Sequence, residues 1–178
     1  MSAGADAGYA MLTTQIATAA AVIAWVAIET FSTGKPTAVG AATGAVAGLV
    51  AITPASGSST VIGAIVIGLA SGIICYFGAT KLKQAFGYDD SLDVFGVHGI
   101  GGIVGALLTG VFIREGAGEA GIGQVLIQAK SILVTIVWST IASVIALSVA
   151  KYTVGLRVDE GDEETGLDQS SHGESAYN

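Results

Sequence analysis

Residues 36–80 read PTAVGAATGAVAGLVAITPASGSSTVIGAIVIGLASGIICYFGAT, 45 consecutive positions without a charged side chain. A helix needs about 20 mainly apolar residues to cross a bilayer core, so this run holds two crossings. Turn chemistry shows where it divides: Thr53-Pro54-Ala-Ser-Gly-Ser-Ser59 gathers proline, glycine and serine between apolar flanks. The expected spans are 37–53 and 60–80, the first short for a bilayer. Upstream, Met11 to Ile28 is uncharged and closes with Trp25, Glu29 and Phe31, a first span over 11–30 whose aromatics read as membrane-interface residues. Downstream, Lys81-Leu-Lys83 and Asp89-Asp90 form a polar connection, followed by expected spans over 94–113 and 126–151. The reading is an all-α, polytopic membrane helix bundle of about five transmembrane helices over 1–151, with a tail over 152–178.

Composition supports it. The 178 residues are 52% hydrophobic and 12% charged, with a mean hydropathy of +0.71, far from the ~25% charge of soluble domains. The net charge of -7 is not spread evenly: residues 1–151 carry six Lys/Arg against seven Asp/Glu, whereas 152–178 carry Arg157 against seven acids. An acidic tail and no clustered basic patch argue against nucleic acid as a partner. The single cysteine, Cys75, lies in an apolar run and excludes a disulfide framework or a Cys/His zinc site. Met1-Ser-Ala-Gly-Ala-Asp lacks the basic region of a signal peptide, so the first apolar stretch reads as retained structure. With five spans and the C-terminus cytoplasmic, Lys35, Lys81, Lys83, Lys151 and Arg157 lie inside. The positive-inside rule therefore expects N-out, C-in, in a cell membrane.

Small residues let helices approach where lipid removes the hydrophobic drive. Gly40, Gly44 and Gly48 form such a row in the second span, Gly68 and Gly72 in the third, Gly101 and Gly105 in the fourth. The run from Gly96 to Gly105 is not a dinucleotide-binding GxGxxG, since Val104 stands where the last glycine is needed and no βαβ pattern surrounds it.

His98 is the only ionisable group expected inside the fourth span. An imidazole in hydrocarbon is costly unless it faces a bundle interior, which makes it a functional-site candidate beside the plainer reading of a packing hydrogen bond. Burial favours the neutral ring, with one nitrogen donating and the other accepting. Such a group can pass hydrogen bonds to a small uncharged polar solute while an apolar lumen rejects ions.

Three blocks carry a family resemblance. Asp93-Val-Phe-Gly-Val-His98-Gly-Ile-Gly-Gly-Ile-Val-Gly-Ala-Leu-Leu-Thr-Gly110 resembles the second histidine motif of the ammonium transporter (Amt/Rh) family. Residues 34–54 resemble another family block, and Gly166-Leu-Asp-Gln-Ser-Ser-His-Gly-Glu-Ser-Ala-Tyr177 resembles the bacterial C-terminal tail. The resemblance implies a fold of eleven helices with an inverted repeat, a homotrimer, and one hydrophobic pore per subunit carrying ammonium or ammonia. The five spans here correspond to helices seven to eleven. It implies that His98 is one of two paired pore histidines, that Val94 lines the lumen and that Thr53 lies near the path. Asp93 stands at the cytoplasmic mouth, or simply caps the fourth span. The tail, disordered by composition alone, would pack on the cytoplasmic face and dock a PII-type signalling protein through Gly155, Asp168, His172, Glu174 and Tyr177.

The family's first half has no counterpart: His172 lies in the tail, so no second intramembrane histidine is present. The chain is therefore expected to be a C-terminal half, inactive alone, whose His98 face and glycine rows would meet lipid without partner helices. The alternative is a non-conducting interaction module that joins transporter subunits and presents a PII-binding tail. No catalytic constellation and no cofactor are expected.

Overall fold

The computed structural model describes residues 3–175, entirely helices and their connections. Helix α1 spans Ala5–Thr33 and stops at Gly34, whose φ of 87° returns its N–H to the Thr30 carbonyl. Helix α2, Ala38–Ile52, starts where the Thr37 hydroxyl accepts the Gly40 N–H at 2.8 Å, and runs on through a 3-10 turn over Thr53–Ala55. Helix α3, Val61–Phe77, begins in the same way, with Thr60 capping Gly63 at 2.9 Å. Each threonine satisfies a donor that a helix start would otherwise leave orphaned, worth about 1 kcal/mol. A π turn over Gly78–Leu82 leads into α4, Lys83–Phe86.

The fourth apolar segment opens with six residues of π-helix, Val94–Gly99, and continues as ten residues of α5, Ile100–Thr109. Helix ends there, short of the expected boundary at 113. Space at Gly110 is taken by the Val125 backbone, 2.7 Å from where a Cβ would stand, and the chain leaves in extended form. Thr60 N–H then donates to Phe112 O at 2.8 Å and Arg114 N–H to Ser58 O at 2.7 Å. The Arg114 guanidinium also donates to Gly57 O at 2.8 Å and lies 4.8 Å from the centre of the Tyr9 ring. This end of the bundle is clamped by backbone and side chains together.

Helix α6, Ile122–Thr153, has 32 residues, none of them buried. The chain divides within it into two compact units, 1–133 and 134–178. In the second unit, where composition alone expects disorder, two short helices form, α7 over Glu160–Thr165 and α8 over Leu167–His172. Arg157 holds α7 by a two-pronged pair with Glu163, 2.9 and 2.6 Å.

In the first unit α1 is the hub. A Cβ at Gly44 would lie 2.7 Å from Trp25 Cβ, and one at Gly48 2.7 Å from Thr18 Cα. Gly68 of α3 approaches the same helix from another side, 2.9 Å from Ala17 Cα by the same measure. Glycines on α2 and α3 come against the α1 backbone at Ala17, Thr18 and Ala21, so backbones pack directly, which is how dispersion substitutes for the hydrophobic effect in lipid. Expected to face partner helices or lipid, the glycine rows are instead consumed within the chain. Ser71 adds polar glue by donating to Ala47 O at 2.8 Å. Trp25 is likewise corrected: it is 4% exposed and edge-on to Tyr76 at 5.4 Å, a core residue and not an interface aromatic, because Gly44 leaves room for its ring. Phe31 is 89% exposed. Glu29 is buried, its carboxylate accepting the Thr37 N–H at 3.1 Å and hydroxyl at 2.8 Å, so α1 is tied to the start of α2.

Candidate functional site

The π turn is built from both ends. Val97 N–H donates to Asp93 O at 2.8 Å, and Ile100 N–H reaches five residues back to Phe95 O. Gly96 and Val97 are buried, Gly96 so closely that a Cβ would stand 2.7 Å from Ala79 Cα. His98 is exposed on the opposite side, without a hydrogen bond to any other described residue. Val94 shares that exposure at 53%. One helical turn beyond His98, a Cβ at Gly102 would meet nothing within 4 Å, whereas one at Gly101 would touch Cys75 Sγ at 3.2 Å. The segment thus has a sealed side, packed on α2 and α3, and an open side bearing the imidazole.

Thr53 is exposed as well, its hydroxyl donating to Leu49 O at 2.7 Å. It stands at another level: Ala51, two residues earlier, backs onto Gly105, which lies about 10 Å along the helix from His98 at 1.5 Å per residue. His98 and Val94 are brought together; Thr53 is set apart from them towards the clamped end.

Asp93 does not cap the fourth helix with its side chain. Its backbone is left-handed (φ 53°, ψ 33°), and its carboxylate pairs with Lys83 Nζ at 2.9 Å. The cap is Asp90, whose two carboxylate oxygens accept Val94 N–H at 2.7 Å and Phe95 N–H at 2.9 Å. Sequence reasoning passed over Asp90 because capping rules look to the residue adjacent to the helix. The available signal was a second aspartate one turn of chain earlier.

Within the second unit, Asp168 opens α8, His172 closes it, and Glu174 N–H returns to Asp168 O at 2.9 Å, so these three share one short element. Gly155, at φ 85°, ends α6 by donating to Ala150 O at 3.0 Å. Tyr177 lies outside the described residues. Among the described residues no three His, Cys, Asp or Glu side chains converge as a metal cage would need.

Among the described residues four helices are long and apolar enough to cross a membrane, and Val94–Thr109 is a shorter apolar fifth. With the helices of the first unit close-packed through glycine and an imidazole on an uncovered face, these apolar segments define a multi-pass α-helical membrane protein. Residues 1–177 match the model of the Ammonium Transporter Family. The chain is 49% identical over 184 residues to an ammonium transporter of Aquifex aeolicus (strain VF5), covering 100% of this chain and 43% of that relative. Among solved structures it is similar to a protein described as Sensor Amt Protein, with a TM-score of 0.85 and 28% identity over 94% of this chain and 42% of that one. It is also similar to Mep2 of Saccharomyces cerevisiae, with a TM-score of 0.80 and 32% identity over 88% of this chain and 38% of that one. The chain belongs to the ammonium transporter family. It spans about two fifths of the length of the curated relatives it matches.

Proposed function

We propose that this chain is the C-terminal half of an ammonium channel, contributing His98, Val94 and Thr53 to a pore closed by a second set of helices. The observation that carries the reading is the two-sided fourth segment: Val97 and Gly101 are buried while His98 stands exposed between them in sequence. An imidazole left in acyl chains would cost its full desolvation, so the open side calls for a polar or protein-lined partner surface. An imidazole there can accept from one hydrogen-bonding solute through one ring nitrogen and donate to the next through the other, which suits ammonia in an otherwise apolar lumen. The protein acts as a transporter, not an enzyme, in a homotrimer in the cell membrane, with the N-terminus outside and the C-terminus cytoplasmic. Asp93, Gly155, Asp168, His172, Glu174 and Tyr177 are proposed contacts for a PII-type regulator; the shared placement of Asp168, His172 and Glu174 on and beside α8 supports that part.

Methylammonium uptake tests the reading, in cells making this chain alone or together with the N-terminal portion of the Aquifex aeolicus relative. Uptake is expected only with both portions, and its loss in His98→Ala. Co-assembly without uptake would favour the non-conducting module instead.

A further inference from the structure

Positions seven apart share a face of an uninterrupted α-helix. Val94 and Gly101 break that expectation: Gly101 is buried on α3, Val94 is 53% exposed. The π turn is the cause. Five-back hydrogen bonding inserts one extra residue, turning everything before it by about 100° relative to a straight helix. Val94 is thereby carried off the buried seam and placed on the side of His98.

Such a turn has wide, weak hydrogen-bond geometry and persists only where its surroundings fix it. Its C-terminal end is fixed by Gly101 and Gly105 against α3 and α2, and its middle by Gly96 against the companion π turn at Gly78 and Ala79. At the N-terminal end the backbone donors gather on Asp90. Asp93, Val94 and Phe95 direct three consecutive N–H groups at Asp90, the first to its carbonyl at 3.2 Å, the others to its two carboxylate oxygens. The Lys83–Asp93 pair ties the same corner to α4 and steadies the left-handed Asp93 backbone.

We propose that Asp90 is a positioning residue: by holding the first turn of 94–99 in the π register, it keeps Val94 beside His98 and off the packed seam. The functional meaning rests on the pore reading of His98; the geometry does not. Without the carboxylate, the turn relaxes by one residue towards α-helical bonding and Val94 rotates towards the buried side.

The test uses the full chain in lipid nanodiscs, carrying Val94→Cys and, separately, Val39→Cys on exposed α2, with the maleimide labelling rate as readout. Adding Asp90→Ala is expected to slow labelling at 94 by about tenfold, the order that a change from open to locally protected gives. Asp90→Asn, keeping one accepting oxygen, should fall between, and labelling at 39 should not change. Equal labelling at 94 in all three backgrounds overturns the proposal. So does faster labelling at both sites, which would make Asp90 a general fold residue. Because no transport is measured, this result and the uptake result stand or fall separately.

Discussion

Glu163, in the tail, carries a readable titration signal. Its hydrogen bonds to Arg157 hold its carboxyl below the usual carboxylate value. A depressed folded value means the ionised form is favoured by the fold, so its contribution to α7 is complete above the unfolded carboxylate value, about pH 4.3, and disappears as pH falls through the folded one. Both partners are solvent-accessible, so the effect is local. Amide chemical shifts of Glu160–Thr165 in the full chain are expected to hold steady from pH 7 to about 5 and to move below it. Arg157→Ala should bring that transition to higher pH. Asp93 and Asp90 give the complementary lesson: two aspartates three residues apart divide an ion pair and a cap between them, and only their coordinates say which does which.

At the scale of the helix, the glycine rows separate by what faces them. A Cβ at Gly105 would stand 2.8 Å from Ala51 Cα and against its carbonyl, while one at Gly102 would have open space. Gly105→Ala must therefore push α5 off α2, costing about 1–3 kcal/mol as other overpacked sites do. Gly102→Ala should leave stability within about 1 kcal/mol of the parent, the range of helix propensity. Reversible unfolding of the chain in mixed detergent micelles measures both; equal losses would mean that the seam is not as the backbone distances describe. Polar pairs reinforce the same seams, the buried Ser71 on Ala47 and Glu29 on Thr37 at the start of α2.

For the molecule as a whole, the uncovered side of His98 and Gly102 is where, on the proposed reading, a second set of helices would seat. Gly102→Leu is expected to leave the isolated chain folded and to reduce uptake reconstituted with an N-terminal portion on the order of tenfold, about 1.4 kcal/mol of lost fit. An undiminished uptake would put that contact elsewhere on the surface. The apolar runs, the turn at Thr53-Pro54 and the imidazole of the fourth apolar segment are legible in the sequence, because each is a property of local composition. Three things are not: that α1 absorbs the glycine rows of α2 and α3, that Trp25 is core, and that a π turn sets Val94 beside His98. Periodicity reports that a helix has a small-residue face but not which neighbour fills it, and an inserted residue in a helical register leaves no mark on hydropathy. The order of amino acids by itself determined an all-helical membrane bundle with one ionisable group in its fourth apolar segment. Which side of that segment is sealed and which is open was decided only by tertiary packing, since it depends on backbones meeting across helices far apart in the chain.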